Sequence, residues 1–131
     1  MRIGVILLCA AAALLADSAA GLKWTMPAGW TSKGPAPMRA ATYEVAPESE
    51  CVVYFFGQGQ GGSVEANLAR WGSQFTVNGK PAPNKVAKKA VHGLNVTTMD
   101  ATGTYIATGG MMMTPQPPEA DYRMLAAIVE G

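Results

Sequence analysis

The strongest constraint on this chain is an uncharged apolar run of thirteen residues near its N-terminus, Ile3–Leu15. Arg2 places a positive charge before the run, and the small residues Ser18–Ala20 follow it. A short positive segment, an apolar stretch and small residues form the layout of a cleavable export signal. We therefore predict that residues 1–20 are a signal peptide and that residues 21–131 are exported, to the periplasm or the extracellular space.

A membrane anchor and a lipoprotein signal are the two alternatives. The apolar run is shorter than the roughly 20 residues that a helix needs to cross a bilayer, and no cluster of positive charges follows it. Lipid attachment at Cys9 would put the modified cysteine inside the apolar run, eight residues from the start. Both alternatives stay open. We predict that the signal peptide is cleaved and that the remaining chain does not span the membrane.

Residues 21–131 suffice for a single small domain. The net charge of +1 gives no basic excess that would favour nucleic acid or an anionic membrane. Cys51 is the one cysteine in this range, so an internal disulfide is excluded there. The fold must depend on an apolar core, and we expect the thiol to be buried in it.

Six segments have the patterns of β-strands, and two of them, Leu94–Asp100 and Gly103–Ala107, form either a strand pair or one bent strand. Leu22–Met26 and Met38–Val45 alternate between apolar and polar residues, as half-buried strands do. Cys51–Phe56 and Met124–Val129 are apolar throughout, which predicts strands covered on both faces.

One segment has the pattern of an amphipathic helix. Val64, Leu68, Trp71 and Phe75 recur at spacings of four, three and four, and the preceding serine is a natural N-cap. We predict an α+β fold: a mostly antiparallel sheet of about five to six strands with one main helix over residues 63–76.

The glycine-rich segment Gly57–Gly62 matches the spacing G-x-G-x-x-G between a predicted strand and the predicted helix. A dinucleotide site also requires an acidic residue about 20 positions further on, which binds the ribose. No acidic residue occurs between Glu65 and Asp100. We therefore predict a flexible turn and no cofactor.

Two chemical sites are weakly indicated. Met111–Met113 offers thioether ligands for Cu(I), with His92 and Cys51 as further ligands, and periplasmic copper handling is the alternative function. Consecutive methionines, however, do not all point one way, and Met commonly fills irregular gaps. A Cys51–His92 nucleophile pair is the other hypothesis, but a thiol in an apolar strand stays protonated. We predict neither a metal site nor an enzyme.

Three arginines are the candidate binding residues because they lie in the best-patterned segments: Arg39, Arg70 and Arg123. Together they would suit an anion or an acidic partner. The alternative is that each is solvated or forms a weak local ion pair.

An ordered set of motifs covers nearly all of the chain after residue 21: Pro27-x-Gly29-Trp30, Met38-Arg-Ala-Ala-Thr-Tyr43, Asn67-x-x-Arg70-Trp71-x-x-Gln74-Phe75, Gly103-Thr-Tyr105 and Tyr122–Glu130. The set resembles a family of uncharacterised exported proteins of bacteria, often described as lipoproteins. The resemblance implies no catalytic residues and a fold similar to the PsbP-type α/β/α sandwich.

The resemblance also implies that the protein continues past the last strand, so we expect the chain to be truncated at Gly131. A missing segment would cover the second face of the sheet. The function expected from sequence is an exported, non-catalytic domain. It would bind an unidentified envelope protein or a small ligand, or have a structural role in the cell envelope.

Overall fold

The computed structural model describes residues 16–34, 36–107 and 116–131. In this part of the chain the fold is mainly β, with ten strands in three sheets and one short helix. Every strand pair within it is antiparallel. The predicted predominance of antiparallel strands beside one helix is confirmed, whereas the prediction of a single sheet with five or six strands was wrong.

The chain divides between Gly61 and Gly62 into two compact units, here called the N-terminal and C-terminal units. Each is described by itself, and a single domain over residues 21–131 stays a prediction. The apolar run Ile3–Leu15 with Cys9, and Met111–Met113, lie outside the described residues.

The N-terminal unit contains a two-stranded sheet and a three-stranded sheet with order β3-β4-β5. Its strands are β1 (Ala16–Ala19), β2 (Leu22–Thr25), β3 (Thr31–Ser32), β4 (Arg39–Ala46) and β5 (Ser49–Tyr54). The hairpin of β1 and β2 turns at Ala20 and Gly21, with φ of 52° and 80°. Strand β1 therefore belongs to the segment predicted to be removed with the signal.

Strand β4 supplies the buried residues of the N-terminal unit, Ala41, Thr42 and Tyr43. The Tyr43 hydroxyl donates a hydrogen bond to Oδ2 of Asp17 in β1, and it accepts one from Nε1 of Trp24 at 2.7 Å. Burial, and then the bond to the Asp17 carboxylate, raises the pKa of the Tyr43 phenol. The phenol therefore stays protonated and joins the hairpin to β4.

The C-terminal unit consists of one helix on a five-stranded sheet. Its elements are α1 (Val64–Gly72), β6 (Phe75–Val77), β7 (Lys80–Pro81), β8 (Asn84–Val91), β9 (Leu94–Tyr105) and β10 (Glu119–Glu130). Strand β9 is central: β10 pairs along one side of it, and β8 and β6 pair along the other. Its core contains Phe75, Met99 and Ala101, against which Leu68 and Trp71 of the helix pack.

Helix α1 begins as predicted, because Oγ of Ser63 accepts a hydrogen bond from the backbone N–H of Ala66 at 3.1 Å. It ends at Gly72, short of the predicted residue 76. Phe75 is not on the helix stripe but opens β6, where it is fully buried. The helical spacing was correct as far as Trp71, and packing in the core decided the position of Phe75.

Two strands predicted to be covered on both faces are not. In β10 burial alternates, and Leu125 is 70% and Val129 44% exposed. Tyr54, the last residue of β5, and the next two residues, Phe55 and Phe56, are also exposed. Among the described residues, a single helix covers one face of the larger sheet, so apolar residues on its other face contact solvent.

Candidate binding surface

Arg39 is the one candidate arginine of the N-terminal unit, and it lies opposite Tyr54 in the register of β4 and β5. Its guanidinium carbon is 5.9 Å from the centre of the Tyr54 ring, within the range of a cation–π contact. Its Nη1 is 3.8 Å from Oε1 of exposed Glu50, a distance at which an ion pair contributes little. The aromatic ring is therefore the better-defined neighbour of this cation.

Tyr54 and Phe56 form an exposed pair of parallel rings. Their centroids are 5.8 Å apart and the ring planes differ by 4°. Tyr54, Phe55 and Phe56 are each 48–50% exposed. Arg39, Tyr54 and Phe56 together are called the aromatic platform below.

The glycine-rich loop after β5 comes close to the Phe56 ring at one residue, Gly61. Gly61 has a φ of +94°, and a Cβ on it would lie 3.1 Å from Cδ2 of the Phe56 ring. A side chain at this position would therefore meet both backbone strain and the ring. A hydrogen bond from the N–H of Gln60 to the carbonyl of Gly57 (3.2 Å) closes a turn in the loop.

A phosphate-binding role for this loop gains no support from the fold. A dinucleotide site is built on a βαβ unit with parallel strands, and all strand pairs of the described residues are antiparallel. The loop instead joins the antiparallel strand β5 to α1. This is the position at which the sequence predicted a glycine-rich turn.

Arg70 and Arg123 do not lie side by side in the C-terminal unit. Arg70 is on α1 and donates a hydrogen bond to Oδ1 of Asn67 at 2.8 Å. Arg123 is on the sheet face away from the helix, where it makes two hydrogen bonds to Asp100, at 2.9 and 2.7 Å. A bond from Arg123 lowers the pKa of the Asp100 carboxyl. Arg123 therefore forms a local ion pair with Asp100, which was the alternative interpretation to binding an external anion.

Of the residues considered for catalysis or metal binding, Cys51 and His92 lie in the described part of the chain. Cys51 is half-buried in β5, and burial raises the pKa of its thiol, which disfavours the nucleophilic thiolate. His92 is in the turn between β8 and β9, in the other unit. No group of three or more His, Cys, Asp or Glu side chains suited to a metal occurs among the described residues.

No protein-family model, curated protein or solved structure matches this chain. Any assignment of function therefore depends on the surface itself.

A depression of about 420 Å³ lies in the C-terminal unit. The ends of β8, β9 and β10 line it, with charged groups from Lys88, Lys89 and Glu130. No helix in the described part of the chain has the length and apolar character to cross a membrane.

Of the three platform residues, only one was a binding candidate from the sequence. Arg39 was a candidate, whereas Tyr54 and Phe56 were assigned to a doubly covered strand. The glycines from position 57 were a usable signal. Glycines weaken a strand, so aromatic residues just before them are expected at the margin of the sheet rather than at its centre.

Proposed function

We propose that this protein is an exported, non-catalytic protein that binds another protein of the cell envelope through the aromatic platform. The observation behind this proposal is the exposed Tyr54–Phe56 pair with Arg39 against Tyr54. Contiguous exposed apolar surface is unusual in soluble proteins and marks interaction sites. Tyr, Phe and Arg are also the residue types enriched at the centres of protein interfaces.

The physical reason for favouring a protein partner is the cost of leaving these rings in water. Large, rigid rings bury much area on binding and lose few rotatable bonds. The backbone at Gly61 lies close to the Phe56 ring, which limits the movement of this ring before binding. Such pre-ordered aromatic and arginine side chains are typical interface hot spots.

Export is part of the proposal and is supported by the sequence alone. Cell fractionation followed by N-terminal sequencing tests it. We expect the protein outside the cytoplasm with Gly21 as its first residue, and a cytoplasmic chain that still begins at Met1 would refute export.

The relation to exported bacterial proteins with a PsbP-type sandwich also belongs to the proposal. That architecture requires a second layer over the sheet face that contains Leu125 and Val129. An experimental structure of the protein as isolated from cells would show whether a layer covers that face.

Binding is tested by comparing captured envelope proteins. Phe56→Ser and Tyr54→Ser variants should lose a partner that the unchanged protein retains, and Val77→Ser is the control because Val77 is similarly exposed outside the platform. The partner is then identified, purified and titrated. We expect its Kd to rise about thirtyfold on Phe56→Ser, as for a 2 kcal/mol hot spot. Equal affinity for all the variants would refute the role of the platform.

A further inference from the structure

The two long strands that flank β9, namely β8 and β10, differ in their protection against pairing with another chain. β8 and β10 pair with the same part of β9 from opposite sides, and within the described residues neither pairs with anything else. All eight residues of β8 are exposed, and three are lysines: Lys85, Lys88 and Lys89. Lysines are a common device by which edge strands avoid association.

The twelve-residue strand β10 has no such protection along most of its length. Met124–Val129 contains neither a charge nor a proline, and the irregularity in its pairing with β9 is confined to the region between Glu119 and Tyr122. Arg123 is the one cation of the strand, and it is engaged by Asp100 of the same sheet. The edge of β10 is therefore regular from Tyr122 to Glu130 and carries only uncharged apolar side chains from Met124 to Val129.

The register with β9 defines which side chains accompany this edge. Leu125, Ala127 and Val129 lie on the face away from α1, opposite Asp100, Thr98 and Val96. All three are exposed. Unpaired backbone groups therefore run beside an apolar, solvent-exposed row, the combination that favours strand addition.

We propose that β10 pairs antiparallel with β10 of a second copy of this chain, so that two C-terminal units share one continuous sheet. Centring the pair on Ala127 places Leu125 opposite Val129 of the second copy, and the two-fold symmetry repeats this contact. No like charges face each other in that register, because Glu130 lies opposite Met124. Side chains exposed in one copy then cover each other.

The lysines of β8 explain why such pairing ends at a dimer. Joining β10 of one copy to β8 of the next would leave free edges and extend without limit. It would also place Lys88 and Lys89 at the new junction. When two β10 strands pair, the backbone N–H and C=O groups of their free edges bind each other. The lysine-rich strand β8 of each copy then remains unpaired on its outer side.

Cysteine cross-linking tests the arrangement directly. The test uses the full chain with Cys9 and Cys51 replaced by serine. Ala127→Cys should give a covalent dimer under mild oxidation. Ala87→Cys is the matched control, because Ala87 and Ala127 are exposed alanines that pair with Thr98 from its two sides. Equal cross-linking of the two variants would overturn the proposal.

Sedimentation of the full chain without engineered cysteines provides the second readout. We expect a concentration-dependent dimer whose Kd rises about tenfold or more on Leu125→Lys, which copies the protection of β8. Ala87→Lys should leave the Kd unchanged. A monomer at every concentration, or an equally tight dimer of Leu125→Lys, would contradict pairing through β10. Either outcome would mean that the free edge of β10 is available to a different protein and not to a second copy of this chain.

Discussion

The two units of this protein use aromatic side chains in opposite ways. In the C-terminal unit, Phe75 is fully buried and lies 5.4 and 6.3 Å, centre to centre, from the rings of Tyr105 and Tyr122. In the N-terminal unit Tyr54–Phe56 are exposed, and the one buried ring, Tyr43, is held by hydrogen bonds. An apolar core stabilises the first arrangement, whereas the second depends on a few polar contacts and leaves rings available for binding.

The largest effect should come from Phe75→Ala, because the substitution empties the centre of the C-terminal core. We expect a loss of about 3–5 kcal/mol in the free energy of unfolding, as for other buried phenylalanines. Phe56→Ala is the matched change in the N-terminal unit and should cost less than about 0.5 kcal/mol. Urea unfolding followed by circular dichroism measures both.

Similar losses for Phe56→Ala and Phe75→Ala would mean that the platform rings are part of a core.

The next effect should come from Tyr43→Phe, which leaves the Asp17 carboxylate and the Trp24 indole N–H without their shared partner. We expect a loss of about 1–3 kcal/mol in a chain that begins at Ala16. In a chain that begins at Gly21 the loss should be smaller, because Asp17 is absent. Unfolding curves of the four proteins test this difference, and an equal loss in both chains would exclude a contribution from Asp17.

A smaller effect of opposite sign is expected from Thr42→Val. The Thr42 side chain is buried, and its Oγ1 has no hydrogen-bond partner among the described residues. Replacing an unsatisfied hydroxyl by a methyl group should stabilise the N-terminal unit by about 1 kcal/mol. Thermal unfolding measures it, with Thr31→Val at an exposed position as the control. Destabilisation would show that the hydroxyl has a partner in solution.

The smallest effect should come from Asp100→Asn, which removes an exposed ion pair from the C-terminal unit. Arg123 lowers the pKa of Asp100 in the folded protein, so the carboxylate stabilises the fold above its unfolded pKa, near 4. That contribution is lost as the pH falls through the lower folded pKa. Urea midpoints should differ slightly between wild type and variant at neutral pH and converge in acid, and a difference that grows in acid would contradict this assignment.

Local patterns predicted the parts of the fold that depend on local interactions. Alternation placed β2 and β4, and the N-cap serine placed the start of α1, because a strand's period and a helix cap involve neighbouring residues. The mostly antiparallel character followed from short connections between strands.

Features that depend on distant residues were not predicted. An apolar run does not show whether a second layer covers it, so the exposure of Leu125 and of Tyr54–Phe56 was missed. Phe75 fits the helix stripe and a strand equally well, and packing against Met99 decided between them. The hydrogen bond of Tyr43 to Asp17 joins residues 26 positions apart, beyond any local signal.

The turn at Ala20 and Gly21 has a consequence for the timing of maturation. If the export signal is cut after Ala20, the bond to be hydrolysed lies inside a hairpin turn whose two residues both have positive φ. Proteases act on locally opened chain, so a folded hairpin slows its own cleavage. Removal of the signal and closure of β1 on β2 are then competing events, and the faster one decides whether Tyr43 keeps Asp17 as its acceptor.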